Sequence, residues 1–401
     1  RLEEREAERE EEREKKEERG TERCIGSLEY RGAAILAPMV RCGTLPLRLL
    51  CKKYGADIVY GEEIIDRKIS RCLRRENVTL GCIDYVDKDD TFGTEYGGAG
   101  GGEGESGGAG GKVGAGARRK KDGKRPNVVF RTLPEQEGPV VFQIGTGDAV
   151  NALKGAEVVA RDVSAIDVNM GCPKHFSISG GMGAALLQKP DTVVDILKTL
   201  IRNLSVPITC KVRLLETTEK TLDFMRICAN TGISAIALHG RYKEQRSSTP
   251  ARLADVKAIA DAGLSIPLIH NGDVFKYEDI GRLREATGAD AVMIARGAMW
   301  NPSVFSPTMR PKMEVAKEYL KTALHVDNFA QNTKYTLLRM LEGDEDMEVR
   351  HAIQRVKGHE ALCEALNLAE YYRLQQATRA AGDKRSYIGL PPTLRPNVDP
   401  Y

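Results

Sequence analysis

Eight short apolar, often β-branched runs recur along the chain: Ala34–Ala37, Asp57–Tyr60, Val140–Ile144, Ala165–Val168, Ile208–Val212, Ala235–Leu238, Ile266–Ile269 and Ala291–Ala295. Between most of them lie stretches with apolar residues at helical spacing: Leu45–Tyr54, Ala149–Val159, Thr192–Ile201, Thr221–Asn230, Arg252–Ala262 and Ile280–Thr287. Strands of this kind are covered on both faces, and parallel strands with helices packed outside them have that cover. Eight strands alternating with helices over roughly 265 residues point to an α/β fold, a (β/α)8 TIM barrel. A doubly wound open sheet competes less well, because no glycine-rich dinucleotide fingerprint follows the first strand and the count closes at eight. A ninth apolar run, Val128–Arg131, reads as a hairpin strand attached to an insert.

The rest of the chain divides by composition. Residues 1–30 form a charged extension in which the first twenty are almost all Glu, Arg and Lys, too polar to bury a face. The barrel is expected over residues 31–308, with an insert at about 87–126 that is mostly Gly over 97–117 and then basic at Arg118, Arg119, Lys120, Lys121, Lys124 and Arg125. A small all-helical domain is expected over 309–380, followed by a tail at 381–401. The net charge of +3 does not by itself mark a nucleic-acid protein. Nine cysteines with no CxxC pair fit a reducing compartment, and no metal site is expected. No membrane span or secretory leader is evident, so a cytoplasmic protein is expected, with a nuclear pool open.

In a barrel, reactive groups belong at the C-terminal strand ends. Read in order, those ends carry Pro38 and Met39; Glu62 and Glu63; Gln143; Asn169 and Cys172; Lys211 and Arg213; His239, Gly240 and Arg241; His270, Asn271, Gly272 and Asp273; and Ala295, Arg296 and Gly297. Any one of these has an ordinary structural explanation, but the whole set does not. The glycine-containing turns after the last two strands suit an anion, since barrels commonly hold a phosphate at that corner. Lys211 and His239 lie where they can donate hydrogen bonds to an electron-rich ring, which suits a phosphorylated redox cofactor such as a flavin mononucleotide. Cys172, between Gly171 and Pro173 just beyond a strand, is the cysteine whose setting suggests chemistry. Residue logic alone leaves it either a nucleophile or an acid.

Five segments carry a resemblance: Ile35–Met39, Asp167–Lys174 (DVNMGCPK), Gly180–Leu187 (GGMGAALL), His239–Arg241 and Ala295–Pro302 (ARGAMWNP). Together they resemble the tRNA-dihydrouridine synthases, and Tyr60–Asp66 with Asn169–Lys174 is closest to the eukaryotic branch acting on D-loop uridine 20. The resemblance implies reduction of the C5–C6 bond of a tRNA uridine by FMN, which NADPH re-reduces. It implies hydride delivery to C6 and Cys172 as the acid that protonates C5. It assigns FMN contacts to Pro38, Met39, Gln143, Lys211, His239, Asn271, Gly272, Asp273, Ala295 and Arg296. On the substrate side it places Asn169 beside the uracil and Arg241 at the mouth of the site.

The same resemblance gives the helical domain a role in tRNA contact, with Lys334 and Arg339 as its candidates, in a protein expected to act as a monomer with tRNA and NADPH as partners. Animal members carry a double-stranded-RNA-binding domain beyond the helical one, where this sequence has a Pro-rich stretch in which Lys384–Tyr387 is the candidate beginning of such a module. Two rival readings remain at this point. One is a flavin barrel reducing a small diffusible enone or quinone, which leaves the basic helical domain unexplained. The other is a non-catalytic RNA-binding scaffold, which leaves the strand-end set unexplained.

Overall fold

The structure is a computed structural model describing residues 28–88, 127–343 and 347–380. The charged extension, the glycine-rich and basic insert and the tail expected from the sequence lie outside the described residues. Eight parallel strands form a closed barrel: β1 (Ala34–Leu36), β2 (Ile58–Tyr60), β7 (Val140–Gly145), β8 (Ala165–Asn169), β9 (Ile208–Leu214), β10 (Ala235–Tyr242), β11 (Leu268–Asn271) and β12 (Ala291–Ile294). Pairing of β2 with β7 closes the ring, and the two-residue strand β3 (Ile64–Ile65) adds to β7 above it. All eight runs anticipated from the sequence are these strands, with ends shifted by a few residues.

Strand periodicity divides each run between two cores. Ile35, Tyr60, Val141, Ala165, Ala237, Ile269 and Met293 fill the inside of the barrel. Their neighbours, including Ile144, Ile166, Val168, Val212 and Val292, face the surrounding helices in the larger outer core. Helix Pro190–Asn203 shows how the outer layer is built. Proline occupies its first turn, where an N–H would lack an acceptor, and Val193, Ile196, Leu197 and Leu200 recur on one buried face. Asp148 and Thr217 cap two other helices by accepting from the N–H groups of Asn151 and Lys220.

Val128–Arg131 is, as expected, a hairpin strand outside the barrel: β6 (Val128–Thr132) pairs antiparallel with β5 (Cys82–Asp87) on the other side of the insert, and β4 (Cys72–Asn77) completes a three-stranded sheet whose first two strands were not anticipated. Arg74, which turns in to pair with the buried Asp162, and the exposed Arg75 and Glu76 hide the β4 pattern. Inward, Phe130 stacks edge-on against Phe142 of the barrel at 5.1 Å between ring centroids.

After β12 the chain is helical: Arg296–Trp300, Lys312–His325, Ala330–Met340, Met347–Arg355, Gly358–Ala365 and Ala369–Ala380. Val315, Tyr319, Leu320 and Ala323 share one continuous core with Leu47 and Leu50 of helix Leu45–Lys53. Glu318 pairs with Lys53 and accepts from Tyr54. Asn332 donates to the Arg41 carbonyl, and Thr44 donates to Asn332 at 3.1 Å. Helical region and barrel are therefore joined by apolar packing and by polar bonds. No described helix is long and apolar enough to cross a membrane.

Candidate active site

The loop after β8 is held by four hydrogen bonds from three residues. Asn169 Oδ1 accepts from the backbone N–H of Gly171 at 2.9 Å and of Cys172 at 3.2 Å, an Asx turn that halts the strand. Arg213 Nε donates to the Gly171 carbonyl at 2.8 Å, and the Ala184 N–H donates to the Cys172 carbonyl at 3.0 Å. Among the described residues eight cysteines are free, and Cys172 is the one that is not buried. The loop fixes where its thiol sits, and solvent can reach it.

Beneath it, side chains pointing inward from neighbouring strands form a polar tier. Register places Asp167 opposite Gln143 and Thr209, and Asn169 opposite Lys211. Gln143 Nε2 and Thr209 Oγ1 each donate to the Asp167 carboxylate at 2.7 Å. Burial pushes Asp167 up to about 6, against the pull of those hydrogen bonds and of Lys211. Lys211 is pushed down to about 8, chiefly by burial and then by Arg213. Burial, with Lys211, Arg213 and Arg241 nearby, drives His239 far below the usual histidine range, so its ring stays neutral.

The far corner is cationic. Asp273 accepts from Arg241, from Arg296 at 2.9 Å and from the Ala251 N–H at 2.7 Å. Burial raises its carboxyl, but these bonds and charges hold it below the usual carboxylate range. Two guanidiniums thus share one carboxylate, which leaves a unit of positive charge. Burial and the neighbouring Arg241 push Arg296 down, the strain of crowded like charges. Gly272 has φ +151°, and a Cβ there would lie 3.0 Å from that of Ala251, so the backbone passes where a side chain has no room.

These observations bear on whether a flavin mononucleotide fits. His239 Nδ1 is buried without a hydrogen-bond partner, an orphan aimed at a barrel mouth that a polar ring would satisfy. Gln143 has committed its amide N–H group to Asp167 and keeps its carbonyl as an acceptor. The excess positive charge at Asp273 suits a phosphate. On donor chemistry the residues fit the group.

The expected site residues are not all placed as anticipated. Pro38, Met39, Gln143, Asn169, Cys172, Lys211, His239, Asn271, Gly272, Asp273, Ala295 and Arg296 come from the C-terminal ends of the barrel strands. Asn271 is buried and donates to the Met293 carbonyl at 2.8 Å, which ties β11 to β12. Arg241, expected at the mouth, is instead only 3 % exposed; it donates to the Thr249 carbonyl and pairs with Asp273. Lys334 donates to the Gln354 and Val356 carbonyls at 2.7 and 2.9 Å, closing the end of helix Met347–Arg355. Arg339 packs over Tyr335 at 5.3 Å, and Arg41, from the loop after β1, lies 4.2 Å from the same ring centroid. The sequence had left Glu63, Lys174 and Arg213 without a role.

A family model described as Dihydrouridine synthase (Dus) matches residues 121–385. The chain belongs to that family. The tRNA-dihydrouridine(20) synthase of Schizosaccharomyces pombe is 36% identical over 356 residues, spanning 86% of this chain and 67% of that protein. Its Saccharomyces cerevisiae namesake is 36% identical over 334 residues, spanning 79% of each chain. A more distant relative, the tRNA-dihydrouridine(20a/20b) synthase of Saccharomyces cerevisiae, is 28% identical and spans 69% of this chain and 62% of its own. Membership makes the chain a dihydrouridine synthase, an enzyme.

Gly183 follows from the loop geometry. Its φ is +58°, and a Cβ there would meet the Cys172 carbonyl oxygen and Ser177 Oγ, both at 2.7 Å. Gly183→Ala is expected to cost about 1–2 kcal/mol for the left-handed backbone alone, and more for the clash. Chemical denaturation measures this, and a variant as stable as the parent would show that the loop accepts a side chain.

Proposed function

We propose that the enzyme reduces a uridine of the tRNA D-loop, at position 20, to 5,6-dihydrouridine, with FMN bound in the barrel mouth and NADPH as reductant. The observation that carries this reading is Cys172, presented at a strand end by four backbone bonds opposite a cationic phosphate corner. The two relatives at 36% identity, both named for position 20, support the choice of nucleotide. Bound FMN supplies the hydride that goes to C6.

The protein's own part is binding, orientation and proton handling. The Cys172 S–H bond breaks as a C5–H bond forms, so the thiol must be protonated when substrate arrives. Asn169 has given its oxygen to the loop, and of the two N–H groups on its Nδ2 the one not turned to Glu63 remains to offer a uracil carbonyl. Gln143, Lys211 and His239 would hold the ring and ribityl portion of the cofactor. The backbone at Gly272, Asp273, Ala295 and Arg296 would take the phosphate, with Arg241 and Asp273 holding that corner rigid. Neutral His239 serves as a hydrogen-bonding group and adds no further charge to a site already crowded with cations.

Arg41, Tyr335 and Arg339 form a cation–aromatic cluster where the loop after β1 meets helix Ala330–Met340. It supports tRNA contact on the catalytic face, since guanidiniums neutralise phosphates and an aromatic face stacks on bases. A target uridine must leave its stack to reach Cys172, at a cost of a few kcal/mol.

Incubation with unmodified tRNA, FMN and NADPH, with dihydrouridine mapped by position, tests the reading. Product at position 20 is expected; turnover of small enones with none on tRNA would overturn it. In the same assay Arg339→Ala is expected to weaken tRNA binding several-fold and to reduce the slope of log Kd against log salt by about one. An unchanged slope would remove Arg339 from the interface.

A further inference from the structure

Glu62 and Glu63 follow β2 as an identical pair, yet the fold gives them different work. Glu62 accepts from the Arg41 backbone N–H at 2.7 Å and shapes the neighbouring loop. Glu63 turns the other way. Its carboxylate lies against Gly145 at the end of β7, so closely that a Cβ there would stand 2.7 Å from Glu63 Oε1. The register that pairs Ile144 with Val168 sets Gly145 level with Asn169, whose side chain holds the Cys172 N–H, so the carboxylate sits beside the catalytic loop and interacts with both Asn169 and Cys172. Gly145 has no side chain, and that absence is what admits the carboxylate to the site.

The surrounding charges explain what an anion does there. Cys172 and Glu63 face Lys174 from the catalytic loop, Lys211 and Arg213 from β9, and Asp167 and Asn169 from β8. The buried Asp167 is already bound to Gln143 and Thr209. Two cations close to the thiol, Lys211 and Arg213, favour its thiolate, and a thiolate cannot donate a proton. Glu63 is the anion in direct reach of the sulfur.

We propose that Glu63 is the positioning residue of Cys172: its carboxylate accepts the thiol hydrogen bond, fixes the Asn169 amide, and offsets the lysine and arginine charges so that the sulfur stays protonated until substrate binds. The inference rests on the proton-donor reading of Cys172. Burial raises the Glu63 carboxyl, opposed by Asn169, Lys174 and Cys172. In each turnover the S–H bond breaks as C5–H forms, and the resulting thiolate takes its replacement proton from water.

The test is the pH dependence of Cys172 alkylation by iodoacetamide, read at that residue by mass spectrometry. The full chain is compared with Glu63→Gln and Glu63→Asp, and Cys172→Ala serves as the blank. Removing a neighbouring negative charge favours the thiolate, so Glu63→Gln is expected to lower the alkylation midpoint by about one pH unit or more. The alkaline limit of dihydrouridine formation should fall with it, while Glu63→Asp, which keeps the charge, stays near the parent. An unmoved midpoint in Glu63→Gln, or an equal shift in Glu63→Asp, overturns the inference. Alkylation can be read whether or not a variant retains flavin. If Cys172→Ala still forms dihydrouridine, the proton-donor reading itself fails. An inactive Cys172→Ala beside an unmoved Glu63→Gln midpoint removes Glu63 alone.

Discussion

Cys172→Ala is expected to lower dihydrouridine formation by about 10²–10⁴-fold, the usual worth of a positioned general acid. The loss should fall on turnover and leave the protein otherwise intact. Asn169, Arg213 and Ala184 hold the loop through backbone atoms of Gly171 and Cys172, and none of those bonds involves the sulfur. Flavin absorbance and tRNA affinity should therefore match the parent, and reduction of bound flavin by NADPH should proceed. Quantifying dihydrouridine in tRNA by mass spectrometry, under single-turnover conditions, makes the comparison. A Cys172→Ala protein that turns over at the parent rate would mean that another group, or solvent, protonates C5.

The largest effect on stability is expected at Arg48. Its side chain is 1 % exposed and pairs through Nε and Nη2 with Glu137, which is fully buried. Arg48 Nη1 and Nη2 also donate to the Gly43 and Arg131 carbonyls at 2.7 and 2.6 Å, and its guanidinium lies over Phe130. Glu137 accepts in addition from Thr132 and from the Leu133 N–H. Every polar atom of the pair is thus satisfied, which is the condition under which a buried ion pair is tolerated. Arg48→Ala leaves the Glu137 charge in the core and is expected to cost about 3–5 kcal/mol. The double variant Arg48→Met/Glu137→Leu removes both charges and should recover much of that loss. Denaturant titration of the three proteins checks the order, and a single variant as stable as the parent would show that water or rearrangement compensates the stranded carboxylate. The Met39–Gly43 turn, tied to Arg48 through Gly43, should loosen with it.

The barrel was legible because each of its strands is buried on both faces, so β12 reads as an unbroken apolar run, Ala291–Ile294. The same property singled out the candidate site: Gln143, Lys211, His239 and Asn271 are polar groups at the tops of apolar runs. Strands β4 and β5 were not legible, since their buried charges, Asp84 and Asp87, look like surface in sequence. Asp84 is held by Arg131, a partner 47 positions away. Arg241 was misplaced for a related reason. Its sequence neighbours give no hint of Asp273, the carboxylate that draws it inward. Lys334 reads as a free basic residue until helix Met347–Arg355 ends against it. Glu63 was inseparable from Glu62 because nothing in two adjacent glutamates says which one faces Gly145.

The seam between barrel and helical region has a consequence for the nucleic acid. Asn332 is bonded to the backbone of Arg41, Glu318 to Lys53 and Tyr54, and Arg131 to the Val326 carbonyl. Parting the two regions would break all of these and open a shared apolar core. On the proposed reading, a tRNA gripped at Tyr335 while its uridine reaches Cys172 would meet a template that resists yielding. The work of deformation falls on the RNA, and how tightly its own D-loop is folded sets how much of that work there is.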